Sequence, residues 1–153
     1  MFVSETYEIL DCLYYGDETL DLSASSNAHI ELSTDWSSTG EKSLKITPNN
    51  ATSTYYVSKV FSAFSEETTL KLRVDCRTNC KIIAMIYKTQ PWGTAQLPLT
   101  PTTVGVFENF SDVETASFTV PQGVGWGIRF DVQTDSVSND NISYIDNIRL
   151  YKA

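Results

Sequence analysis

Apolar residues in this chain recur at every second position, and nowhere over a useful length at helical spacing. Trp126, Ile128, Phe130 and Val132 alternate with Arg129, Asp131 and Gln133; Leu70, Leu72 and Val74 alternate with Lys71, Arg73 and Asp75. A two-residue period sends successive side chains to opposite faces of a strand, so each segment has one face for a core and one for water. The same pattern marks Ala28 to Ser33, with Ile30 and Leu32 inward. It returns after Gly40, with Leu44 and Ile46 inward and Lys45 outward. Further strands are expected at residues 2–9, Tyr55 to Phe61, Ala116 to Val120 and Ser143 to Tyr151. Lys81 to Lys88 is apolar almost throughout, as expected of a central strand. About eight or nine short strands with long connections and no helices specify an all-β chain, an antiparallel two-sheet jelly-roll β-sandwich.

The connections are rich in turn residues. Gly16-Asp17 and Asn49-Asn50 read as turns, and Pro121 with Gly123 and Gly125 stops the strand at Val120. Gln90-Pro-Trp-Gly opens a long loop that also carries Pro98 and Pro101, and loops of that length in compact domains are often functional. Cys76 and Cys80 flank Arg77-Thr78-Asn79 and are expected to bracket a hairpin, where opposed thiols are placed for a disulfide in an extracellular setting. Their spacing does not suit a zinc ribbon.

With 153 residues, no internal repeat and no linker-like stretch, the chain reads as one domain spanning 1–153. Apolar residues make up 41 %, enough for a packed core. The net charge is −8, and residues 1–41 hold nine acidic side chains and no Lys or Arg. Phosphate backbones are bound by clustered Lys and Arg, so no nucleic-acid partner is expected. No apolar run approaches the roughly 20 residues of a membrane helix, so no membrane insertion is expected. Met-Phe-Val-Ser-Glu-Thr-Tyr-Glu lacks the basic and apolar regions of a signal peptide. An export signal would then belong to a removed segment or to a longer parent protein.

The closing stretch Ser-Tyr-Ile-Asp-Asn-Ile-Arg-Leu-Tyr alternates so that Tyr144, Asp146, Ile148 and Leu150 share a face. If that face is the core, the Asp146 carboxylate points with it. A buried carboxylate requires a cation or a set of hydrogen-bond donors. Backbone N–H groups at the strand end would serve; a hard, oxygen-coordinated metal ion would serve as well.

Two stretches carry a family resemblance. Ser37-Ser-Thr-Gly-Glu-Lys-Ser-Leu-Lys-Ile resembles the Gly-x-x-Ser-Leu-x-Val segment of β-sandwich carbohydrate-binding modules. Tyr144-Ile-Asp-Asn-Ile-Arg-Leu resembles their C-terminal Tyr-Ile-Asp-Asp-Val-x-Leu. They lie about a hundred residues apart in the order those modules show, so the resemblance spans nearly the whole chain. It is to galactose-binding-domain-like jelly rolls, especially carbohydrate-binding families 4 and 22. The resemblance implies a structural calcium held by Glu5 or Glu8, by Glu41 with oxygens near Lys42 and Ser43, and by Asp146. On alternation Glu5 belongs with Val3 and Tyr7, which favours it over Glu8. Calcium takes carboxylate and carbonyl oxygens of this kind.

The resemblance further implies a glycan site on the outer, concave face of one sheet. Tyr55-Tyr56 occupies the place of an aromatic that follows the Ser-Leu strand, and Tyr87 that of a central-strand Tyr. Where the family presents an outward Tyr-x-Glu, this chain reads Arg129-Phe-Asp131, with Gln133 in the same phase. Trp92 is placed for a stacking platform at the rim, whereas Trp126 alternates with core residues and Trp36 is read as packing beside the calcium loop. No catalysis is expected: neither a carboxylate pair flanking a cleft, nor Gly-x-Ser-x-Gly, nor a P-loop appears, and nothing orients Cys12 and His29. The implied function is a non-catalytic module that binds a polysaccharide or cell-surface glycan, as part of a larger secreted, cell-surface or virion-associated protein. An adhesin domain, or a virus or phage tail receptor-binding or structural domain, is the alternative.

Overall fold

A computed structural model of the chain describes residues 6–7, 23–38, 42–51, 54–61, 63–88, 93–98, 108–134 and 140–152. Those residues form two antiparallel sheets and contain no helix. Sheet A is built on two long neighbours, β6 (Thr68–Thr78) and β12 (Ser143–Lys152). On the far side of β6 lie β9 (Glu108–Glu114) and β10 (Phe118–Val120). On the far side of β12 lie β1 (Thr6–Tyr7) and β4 (Ser43–Pro48), with β3 (Ala28–Ser33) outside β4. Sheet B runs β2 (Ser23–Ala24), β5 (Thr54–Phe61), β11 (Trp126–Gln133), β7 (Lys81–Lys88), β8 (Gly93–Pro98).

The core lies between the sheets, where the alternation places it. Leu70, Leu72, Val74 and Cys76 of β6 face Trp126, Ile128, Phe130 and Val132 of β11, all of them buried. Ile30 and Leu32 of β3 pack against the same core half-buried. Trp126 is its largest fully buried side chain, with ring centroids of Phe61, Phe64 and Phe118 at 4.6, 5.3 and 6.5 Å. The turn after β10 closes through Gly123 at φ 70°, the left-handed conformation that favours glycine. Its N–H donates to the Phe64 carbonyl at 3.0 Å.

Four features differ from the sequence-based expectation. First, Asn79-Cys80 is not a hairpin turn: it carries the chain from β6 in sheet A to β7 in sheet B. A hydrogen-bonded corner holds that crossing. The Cys80 N–H donates to Thr78 Oγ1 (2.9 Å), the Ile142 N–H donates to Asn79 Oδ1 (3.1 Å), and the Thr78 and Ser143 hydroxyls lie 2.7 Å apart. Cys76 and Cys80 are both buried free thiols, so the corner is held by hydrogen bonds and not by a disulfide. Second, the segment after Trp92 is not all loop. Gly93–Pro98 is the edge strand β8, which ends on proline as an edge strand can.

Third, β9 carries no clean alternation in the sequence. Val113 pairs with Val74 but Phe110 pairs with Cys76, three residues against two, because a bulge interrupts the register. The fourth difference bears on function. Asp146 pairs with Asp75 and Arg149 with Arg73, again three residues against two, so a bulge at positions 147–148 of β12 reverses its phase. Ile145 therefore lies in the core, Leu150 sits in register with core residue Leu72, and Asp146 faces away from the core. Of the strand expected at residues 2–9, only Thr6–Tyr7 lies within the described residues.

Candidate functional site

Each sheet carries a polar constellation on its outer face. In sheet B, the residues of β11 that alternate with the core are Arg129, Asp131 and Gln133. Arg129 stands in register with Ser58 of β5 and Met85 of β7, and Asp131 with Tyr56 and Ile83. Arg129 donates from Nε to Asp131 Oδ1 at 2.6 Å and from Nη2 to Oδ2 at 3.0 Å, a two-pronged pair. Its Cζ lies 4.3 Å from the Tyr56 ring centroid, so the guanidinium is stacked as well as bonded. The Asp131 carboxylate is nearly covered, at 8 % side-chain exposure, whereas Arg129 remains 31 % exposed.

Tyr55 is not part of this face. One residue out of phase with Tyr56, it points into the core, fully buried, and its phenol donates to the Asn141 carbonyl at 3.3 Å. Burial, with the Cys80 thiol beside it, raises the phenol well above its usual pKa. Tyr56 does lie on the outer face, but the guanidinium stands over its ring. Ile83 and Met85, also outward by register, are each only 6 % exposed, so the β7 part of the face is closed over. The open part is the β5–β11 side, where Val60 is 58 % exposed beside Gly127. Gln133 lies in register with Thr54 and is half-buried. Tyr87 sits in register with Gly127 and Thr94, but its side chain, like all of Trp92, lies outside the described residues.

The second constellation lies on the outer face of sheet A. Asp146 is 2 % exposed, and its Oδ2 accepts the Ser38 N–H at 2.9 Å and the Ser38 hydroxyl at 3.2 Å. Directly across the ladder stands Asp75, 7 % exposed. The segment 34–38 thus folds over the sheet, and further contacts hold it there. The Ser43 hydroxyl donates to the Trp36 carbonyl at 2.6 Å, and the Trp36 and Tyr144 ring centroids are 6.2 Å apart. Lys45 Nζ pairs with Asp35 at 3.0 Å and lies 5.7 Å from the centre of the Tyr144 ring. The hydrogen bond from Lys45 is the main reason the Asp35 carboxyl titrates below its ordinary value.

Asp146 therefore satisfies part of its demand through donors, the plainer of the two roles open to a buried carboxylate. The sequence pattern did not identify Asp75 as a buried partner, because alternation marked it as solvent-facing. Two buried carboxylates side by side form a hard-oxygen donor set that suits calcium, which takes about six to eight oxygens. Ser43 lies next to this pair, one residue before Leu44, the register partner of Ile145. Glu5, Glu8 and Glu41 lie outside the described residues. Among the described residues no group of three or more His, Cys, Asp or Glu side chains is gathered. Nor does any helix there have the length and apolarity to cross a membrane.

No protein-family model matches the chain, and a search of curated proteins finds no match. Solved structures do match. The CBM22-2 xylan-binding domain from Paenibacillus barcinonensis is similar over 87 % of this chain and 92 % of its own, at 14 % identity and a TM-score of 0.59. The family 11 carbohydrate-binding module of a cellulosomal cellulase of Clostridium thermocellum is similar over 99 % and 97 %, at 13 % identity and a TM-score of 0.54. The enzymatically active domain of bacteriophage CBA120 tailspike protein 4 is similar over 86 % of this chain but only 19 % of its own, at 12 % identity and a TM-score of 0.58. At such identities the likeness is one of fold: the two-sheet antiparallel β-sandwich of this chain is a fold that these carbohydrate-binding modules share.

Proposed function

We propose that the chain is a non-catalytic carbohydrate-binding module that takes a polysaccharide or surface glycan on the open β5–β11 side of sheet B. The observation that carries this reading is the Arg129–Asp131–Tyr56 unit: a polar, pre-positioned donor group on the outer face of a sandwich with the module fold. Sugar hydroxyls need fixed donors and acceptors, and an exposed sheet face supplies them with modest affinity. Arg129, Asp131 and Gln133 form the polar part of the site, and Tyr56 supports Arg129 from beneath. The Asp75–Asp146 pair does not read as a glycosidase dyad, since both residues are buried and Ser38 already occupies Asp146 Oδ2.

Calcium is the cation we assign to the outer face of sheet A, held by Asp146 and Asp75 with further oxygens from the adjoining segments. Its role there is structural: it neutralises two buried carboxylates and fixes segment 34–38. A module of this kind works outside the cell as part of a larger protein. The tailspike similarity favours, as a second reading, a receptor-binding or structural domain of a virion or adhesin. Affinity electrophoresis against neutral and acidic polysaccharides tests the main reading. Retention of the wild type by at least one glycan, reduced at least about tenfold in Arg129→Ala with the fold intact, supports it. Absence of retention by every glycan refutes it.

A further inference from the structure

We infer that the Arg129–Asp131 pair makes the sheet B face selective for neutral, hydroxyl-bearing glycans over uronate-bearing ones; the inference rests on the glycan-binding reading above. A guanidinium carries five N–H groups. Two of them go to Asp131, and no described residue accepts the other three. Those three are held in place from two sides, by the two-pronged bond to the carboxylate and by the Tyr56 ring beneath. A ligand that uses them meets donors already ordered, so little side-chain freedom is lost on binding.

The charge of Arg129, by contrast, is already matched. Asp131 is nearly covered, so its negative charge sits within the protein beside the guanidinium, where water screens it poorly. An incoming carboxylate finds a pair close to neutral, a second carboxylate immediately behind it, and a chain of net charge −8. A hydroxyl meets none of these penalties. Tyr56 then acts as a positioning residue, because its ring face is occupied by the guanidinium and a sugar cannot stack there. The apolar C–H edge of a sugar is served instead by Val60, the exposed neighbour along β5.

The test is affinity electrophoresis of the protein in gels containing arabinoxylan, glucuronoxylan, β-1,4-galactan and mixed-linkage β-glucan, the last two also after partial oxidation to uronates. Retention by a neutral polymer about fivefold or more stronger than by its carboxylated counterpart is the expected result. Added salt should weaken that preference by screening the repulsion. In Asp131→Asn the ratio within each pair should move towards the carboxylated polymer, because the guanidinium charge is released while its outline is kept. A purely structural role for Asp131 would lower both retentions together and leave the ratio unchanged. In Arg129→Lys neutral retention should fall about tenfold although the charge remains, since an ammonium lacks the planar fork. Equal retention of each pair, a preference for the carboxylated polymer, or an unchanged ratio in Asp131→Asn would overturn the inference and leave glycan binding standing. Should Asp131→Asn fail to fold, the salt dependence of the wild-type ratio decides alone. A wild type retained by no polymer would overturn both readings.

Discussion

Replacing Asp146 with Ala tests the anchor and the cation together. The substitution removes the acceptor for the Ser38 N–H at 2.9 Å and for the Ser38 hydroxyl at 3.2 Å. Both bonds end on the same Asp146 oxygen, and counted as one anchor to a charged group they contribute about 1.5–3 kcal/mol. Against that loss, Asp75 no longer faces a like charge directly across the ladder, a relief of about 0.2–1 kcal/mol. The net cost without calcium is then about 0.5–3 kcal/mol. For a chain of 153 residues that corresponds to a fall in Tm of roughly 1–12 °C. Calcium acts on the wild type alone, adding about 2.7 kcal/mol when its concentration is a hundredfold above Kd. The assay is thermal unfolding of both proteins in EDTA and in millimolar calcium, with elemental analysis to detect an ion that resists the chelator. A gap between the proteins that widens in calcium supports both arguments. A gap that is the same in EDTA and calcium, with no bound metal found, refutes the calcium proposal. A loss below about 0.5 kcal/mol in both buffers refutes the argument that Asp146 anchors segment 34–38.

Trp126→Ala should cost about 3–5 kcal/mol in chemical denaturation, because Phe61, Phe64 and Phe118 all pack on that ring; a loss under about 1 kcal/mol would show the cluster standing without it. Tyr55→Phe should cost about 0.5–1.5 kcal/mol through the lost bond to the Asn141 carbonyl and leave glycan retention unchanged. Weakened retention in that variant would return Tyr55 to the ligand surface. Burial, and secondarily Asp75, push the Cys76 thiol from an ordinary 9.0 up to about 12. Because the folded value is the higher one, the associated stability is complete below pH 9 and lost as pH rises towards 12. Denaturation midpoints measured across that range should fall less steeply in Cys76→Ala than in the wild type.

The fold class and most of the core were legible in the residue pattern. Alternation is a local property, and a two-residue period sends Leu70, Leu72 and Val74, or Ile128, Phe130 and Val132, to one side of any strand they form. The outward phase of Arg129, Asp131 and Gln133 was legible for the same reason, as was the turn at Gly123. Pairing between distant strands was not legible. Which strand joins which sheet depends on contacts far apart in sequence, so the short Asn79-Cys80 connection looked like a hairpin although it crosses between sheets. The bulges in β9 and β12 were hidden as well, since an extra residue shows only against the partner strand's register. One bulge puts Asp146 out of phase with Leu150, the register partner of Leu72, and sets it against Asp75 with Ser38 bonded to it. Tertiary structure alone likewise decided between adjacent tyrosines, sending Tyr55 to the core and Tyr56 beneath Arg129. The sequence places two aromatic rings side by side, and only the facing sheet determines which of them is covered.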